Sequence, residues 1–293
     1  MLDVFLREID RPPLREPAQP PVMRVMLSAD RPMANRLLSV LGRADLEQLL
    51  PALEEVHLRS RQVLESPGRP IANVYFLESG LVSVLAVSGR DRAVEIGMIG
   101  DEGMTGAAAV LGDDRATNRT IVHCPGIALR LPVAALEGAM RDNAALRRRL
   151  LHFVHALGSC ASQSALALAC AKLDERLARW ILMCLDRLGS SEVRVTHELL
   201  AMVLGVRRPA VTLAMHSLEE NGLIRSTRKL ISIVDRDGLL KQANGSYGTP
   251  EAEYLRLLHH QTASPAAVTT AAFPWSQHEP QGTGVPVRSR GTS

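Results

Sequence analysis

The spacing of hydrophobic positions changes twice along the chain. Between residues 36 and 53, leucines fall at Leu37, Leu38, Leu41, Leu46, Leu49, Leu50 and Leu53, with breaks at Gly42 and Pro51. That spacing is helical. From residue 56 to 131 the apolar runs shorten to 63–64, 74–77, 81–87, 93–98, 120–123 and 127–131. Turn signals separate them, among them Pro67-Gly68, Ser79-Gly80, Ser88-Gly89, Gly112-Asp113 and Pro125-Gly126. Short strands so spaced predict a small all-β barrel or roll. From residue 136 to 188 the pattern is helical again. Leu146, Leu150, Phe153, Leu157, Cys160, Ser164 and Ala167 step by four and three alternately, which is an a/d seam. Burial within one subunit and pairing between two copies both produce such a seam. The small residues Cys160, Ser164 and Ala167 suit close helix approach, so a homodimer is the expectation. A second helix is expected over Leu173–Leu188, stopped by Gly189.

Residues 194–241 carry the most specific pattern. Thr196 can cap a helix whose first turn holds Glu198, and Gly205 ends it. Arg208-Pro209 follows, and proline suits a first helical turn. A second helix runs to Glu220 with Val211, Leu213, Ala214 and Leu218 as expected core contacts, and Asn221-Gly222 stops it. Next come two short apolar runs joined by Ser226-Thr227-Arg228-Lys229, a strand–turn–strand with a basic tip. Helix, glycine turn, helix and wing make a winged helix-turn-helix. The second helix is then expected in a DNA major groove, N-terminus first. Arg207 and Arg208 at that end suit guanine or phosphate, and Arg228 and Lys229 suit phosphates. Thr196, His197 and Thr212 complete the expected contact set. The segment holds eight Arg or Lys against five Asp or Glu. The whole chain is only +3, so the positive charge is concentrated here.

The ends differ in composition. Residues 1–32 are rich in proline and arginine and read as a flexible arm. Residues 243–293 read as a mostly disordered tail, with room for one or two helical turns over 250–259. The expected organisation is therefore an arm (1–32), a sensor roll (33–140), a dimerisation helix (141–172), a DNA-binding domain (173–242) and a tail (243–293). The fold class is α+β. The chain's 293 residues, 46% of them hydrophobic, suffice for about two packed cores. Cys124, Cys160, Cys170 and Cys184 form no C-x-x-C pair, which suits a reduced, cytoplasmic protein. The N-terminus has no signal-peptide pattern, and charges are expected to break each apolar run short of a membrane span.

These residues resemble the Crp/Fnr family of transcription regulators. The pattern TxxxLAxxLGxxRxxVTxxxxxLExxGLI is present through Thr196, Leu200, Gly205, Arg208, Val211, Thr212, Leu218, Glu219 and Gly222-Leu223-Ile224. A looser match is the strand and turn Val74-Tyr75-Phe76-Leu77-Glu78-Ser79-Gly80. The resemblance spans residues 35–241. It implies a cyclic-nucleotide-type β-roll (a double-stranded β-helix), a long dimer helix, duplex DNA as partner and, for an activator, RNA polymerase. In nucleotide-responsive members a Gly-Glu-Leu segment and an Arg-Ser-Ala segment hold the ribose and cyclic phosphate. Here Gly106-Ala107-Ala108 and Asn118-Arg119-Thr120 fall at those places. Ala107 cannot bind a ribose hydroxyl, and a one-residue shift turns an arginine to the other face of a strand. Weak or absent cyclic AMP binding is expected, with Arg119 left as a candidate partner for an unknown anionic effector. Many relatives begin the recognition helix with Arg-Glu. Pro209 replaces that Glu, so the target sequence differs. Residues 1–60 contain no cysteine, so no iron–sulfur cluster is expected.

Weaker signals remain. His152 and His155 could face a metal across a twofold axis, although such a pair is more often packing. His123-Cys124 lies on a strand, where neighbours point to opposite faces and make a poor dyad. Cys160 could oxidise across a dimer, although a small buried hydrophobe is commoner. No P-loop, G-x-S-x-G or H-E-x-x-H occurs, and no enzyme is expected. A rival class is a ligand-binding module acting through a protein partner, against which the basic wing argues.

Overall fold

The computed structural model describes residues 31–89 and 92–259. The rest of the expected arm and tail lies outside the described residues. Two short helices, α1 (Arg36–Ser39) and α2 (Arg43–Leu49), lead into the roll. Asn35 explains the first. Its Oδ1 caps α1 at the Leu38 N–H, while its Nδ2 donates to the Leu77 and Gly103 carbonyls at 2.8 Å. A buried side chain thus satisfies three backbone groups at once.

Seven strands follow: β1 (Glu54–Leu58), β2 (Val63–Glu65), β3 (Asn73–Leu77), β4 (Leu81–Ser88), β5 (Arg92–Ile99), β6 (Arg119–Cys124) and β7 (Gly126–Pro132). They form two open antiparallel sheets, β1-β7-β3 and β2-β6-β4-β5. A short helix, α3 (Ala107–Val110), interrupts them between β5 and β6. Alternation along β4 decides which residues face which core. Val82 and Val84 point into the roll with Phe76, Ile99 and Met104. Leu81 and Leu85 point outward with Met98 and Ile121.

α4 (Val133–Asp142) and the long α5 (Ala144–Cys170) leave the roll. Asn143 caps α5 by accepting from the Leu146 N–H. No Asp, Glu, Lys or Arg occurs between Arg149 and Lys172, so charges do not break this run as expected. By length and composition α5 could cross a membrane. Here it carries a stripe buried against the chain's own sensor and C-terminal segment.

That stripe corrects the expected dimer seam. Leu146, Leu150, Phe153, Cys160, Ser164 and Ala167 are buried within the single chain, with Leu157 partly buried beside them. Leu146, Leu150 and Phe153 join the roll core, while Cys160 joins the DNA-binding core. Cys160 therefore does not face a partner copy, and burial raises its thiol pKa.

α6 (Leu173–Leu188) ends at Gly189 in the left-handed conformation. Then come β8 (Glu192–Arg194), α7 (His197–Val203), α8 (Arg208–Glu220), β9 (Ile224–Thr227), β10 (Leu230–Ile233) and α9 (Arg236–Gln242). α6 packs Trp180, Ile181 and Leu185 between the outer face of the four-stranded sheet and the helices that follow. The winged helix-turn-helix is thus seated on the roll.

A last helix among the described residues, α10 (Thr249–His259), fills the stretch where one or two helical turns were expected and runs a little longer. It lies along α5, and its Tyr254 meets Phe153 edge-on at 6.4 Å between ring centroids. Amphipathicity alone could not order so short a helix; the ready-made groove beside α5 does.

Candidate DNA-binding interface and sensor site

α7 and α8 cross at 102°. Thr196 caps α7 by accepting from the Leu199 N–H. Gly205, in the left-handed conformation, turns the chain, and Pro209 occupies the first turn of α8. Val211, Ala214, Met215 and Leu218 face the core. Leu213 does not. It is 71% exposed, which corrects its expected core role. Met215 takes the inward place because a 3.6-residue period puts 211, 214, 215 and 218 on one side.

The exposed side of α8 carries Arg208, Pro209, Leu213 and His216. Arg207 is the exposed residue just before it. The Arg208 guanidinium meets Glu198 of α7 at 2.8 Å. Both side chains are solvent-exposed, so the pair is weak and can open to a stronger anion. A backbone N–H at the start of α7, together with Arg208, holds the Glu198 carboxyl below its ordinary pKa. The Thr212 hydroxyl lies 3.2 Å from His197 Nδ1 and donates to the Arg208 carbonyl. The structure thus brings Thr196, His197, Arg208 and Thr212 onto one surface.

The wing is a three-stranded sheet, β8-β10-β9. Arg228 and Lys229 form its exposed tip, with Lys229 at φ 65. Glu219 of α8 accepts from the Ser226 N–H at 2.6 Å and ties the wing to the helix. Arg225 is a further exposed base on the wing that sequence reasoning left out of the site.

The sensor positions separate. Gly106 begins α3 at φ 85, and a Cβ there would lie 2.3 Å from Val74 Cγ1. Thr120 is buried and faces inward beside Val84, while Arg119 pairs with Leu85 in the register that faces outward. The roll interior therefore receives Thr120 and not Arg119, which corrects Arg119 as an anion partner there. Ala107 and Asn118 are partly exposed. What sequence reasoning missed is Glu65. Its carboxylate accepts from the Thr120 hydroxyl and faces the Gly106 backbone. Burial raises its pKa, with Thr120 and the Gly106 backbone acting the other way. No sequence motif signals this, because Glu65, Gly106 and Thr120 lie on three separate segments.

A cleft opens at the junction of sensor, α5, α6 and α10. Arg187, Glu102, Glu251 and Tyr254 line part of it. His155 meets Glu253 of α10 at 3.3 Å. Among the described residues no group of three or more His, Cys, Asp or Glu could hold a metal.

Residues 175–242 match the Crp-like helix-turn-helix domain family. The global nitrogen regulator of Synechocystis is 23% identical over 225 residues, covering 74% of this chain and 97% of that protein. This chain carries a Crp-like helix-turn-helix domain. Solved Crp/Fnr structures share its fold. A chain assigned to the family from Eubacterium rectale aligns at TM-score 0.59 and 18% identity, covering 72% of this chain and 99% of that one. The c-di-GMP-responsive global regulator of Xanthomonas campestris aligns at TM-score 0.54 and 18% identity, covering 71% and 100%. The Crp/Fnr arrangement accounts for the order of elements here: two-sheet roll, long helix, then winged helix-turn-helix.

Proposed function

We propose that this chain is a Crp/Fnr-type transcription regulator that binds DNA as a homodimer, reading the major groove with α8 and phosphates with the wing. The observation that carries this reading is the exposed face of α8. Arg208 stands at its N-terminal end, braced only by a solvent-exposed carboxylate, beside a wing tip of two bases. Arg207, Arg208 and Thr212 are the proposed contacts on α8, Thr196 and His197 on α7, and Arg228 and Lys229 on the wing.

The proposed dimer uses the outward side of α5, opposite the stripe buried in the chain. Leu151, His155, Gly158, Ser162, Ala165 and Ala169 are exposed there and step by four and three, with His155, Gly158 and Ser162 bordering α10. Such a stripe suits pairing with a second α5. Two recognition helices would then enter successive major grooves about 34 Å apart. As an activator, such a dimer has RNA polymerase for a protein partner.

The sensor in this reading does not take cyclic AMP in the family's usual way. Ala107 offers the ribose nothing, and the Glu65 carboxylate already uses the Thr120 hydroxyl. Any effector is of another kind, and no iron–sulfur cluster is invoked.

Selection of duplexes from a random library by purified protein tests the DNA reading. Enrichment of a twofold-symmetric site supports it. No enrichment, with and without cell extract, overturns it. Calorimetry showing micromolar cyclic AMP affinity overturns the sensor reading.

A further inference from the structure

We propose that Leu213, with Pro209 one turn before it, reads thymine methyl groups in the major groove. This deepens the DNA-binding reading and rests on it. Leu213 is the most exposed large apolar side chain among the described residues, at 71%. It projects from the middle of α8, with exposed Pro209 four residues before it and exposed His216 three after. On a helix, residues so spaced form one row. The inner side of α8 is filled by Val211, Ala214, Met215 and Leu218, so Leu213 has no place in the chain's own core.

The chemistry leaves one target. Leucine and proline side chains neither donate nor accept hydrogen bonds. Bases present hydrogen-bonding atoms in the major groove, and thymine adds a C5 methyl there. A leucine over a guanine or cytosine edge would strip water from polar atoms and return nothing. Over a thymine it buries apolar surface on both sides. Arg208 at the helix N-terminus supplies a charged contact, so Leu213 is left to discriminate at a neighbouring base pair.

The test uses the site selected by the full chain. Each thymine of the half-site is replaced in turn by deoxyuridine, which lacks only the methyl. One replacement is expected to weaken binding about fourfold per half-site, the equivalent of one buried methyl. Leu213→Ala and Leu213→Gln should still bind but lose that sensitivity, and a library selected with them should no longer prefer thymine there. Because Leu213 is exposed, both variants should melt as the parent does. Methyl sensitivity unchanged in both variants, or a selected half-site indifferent to deoxyuridine throughout, overturns the proposal while leaving DNA binding intact. No enriched duplex at all overturns the DNA-binding reading and this one with it.

Discussion

Arg187 Nε lies 2.8 Å from Glu102 Oε1, joining α6 to the turn after β5 in the roll. The same guanidinium reaches Glu251 of α10 at 3.3 Å. All three side chains are nearly buried, at 12%, 13% and 5% exposure. Burial opposes the Arg187 charge, and the two carboxylates more than offset it, raising its pKa. Tyr254 of α10 also donates to the Glu102 carbonyl. Roll, winged helix-turn-helix and C-terminal helix therefore share one polar knot. Arg187→Met should destabilise the chain by about 3–5 kcal/mol, because two carboxylates stay buried without their counter-ion. Urea unfolding measures this, and adding Glu102→Gln and Glu251→Gln should recover part of the loss. A loss under about 1 kcal/mol would show that the knot does not hold the domains together.

The pH dependence of stability should contain two opposing contributions. Burial lifts the Glu95 carboxyl from 4.5 to about 7, with Ser83, Arg179, Trp180 and Arg187 pulling it down. Burial lowers His123 from 6.5 to about 4, where the ring packs 5.3 Å from Trp180. Between 4.5 and about 7 the folded chain keeps a proton on Glu95 that the unfolded chain has released, so this group removes stability as pH rises. Between 6.5 and about 4 the unfolded chain gains a proton on His123 that the folded chain refuses, so this group removes stability as pH falls. Glu95→Gln should flatten the first loss and His123→Phe the second. Unfolding free energies measured across that range check both; parallel curves for parent and variants would refute the assignment.

Gly106→Ala should cost about 1–3 kcal/mol. The residue sits at φ 85, and its added Cβ would press on Val74 Cγ1. Thermal unfolding reads this directly, and a parent-like melting temperature would contradict the geometry.

The two sides of α5 should behave differently. Leu150→Ala, inside the chain's own core, should lower stability by about 2–5 kcal/mol without changing assembly. Leu151→Glu, one residue on and exposed, should dissociate the proposed dimer with little loss of protomer stability. Sedimentation separates them. A dimer that survives Leu151→Glu would place the interface elsewhere.

Arg208→Ala should weaken binding to the selected site by about 1–3 kcal/mol and relax preference at its base pair. Competitive titration with substituted duplexes checks this. A uniform loss across all sequences would make Arg208 a phosphate contact instead.

The helix-turn-helix was legible because its signals are local. Thr196, Gly205, Pro209 and Gly222 each do their work within a few residues, through caps, a left-handed turn and a preset φ. The roll strands were legible from their turns, though β1 was not, because Glu54–Leu58 alternates weakly. The direction of α5 was not legible. It carries two stripes with the same four–three spacing, one through Leu150 and one through Leu151. Periodicity shows that a side can be buried and is silent on what buries it.

The sequence by itself therefore determined the order of elements, the placement of α8 and the basic wing, since these depend on dihedral preferences and local charge. Tertiary structure alone decided that Leu213 faces water, that Glu65 lies against Gly106 and Thr120, and that α10 docks on α5. Each of those outcomes depends on contacts between segments far apart in the chain, and such contacts leave no periodic trace along it.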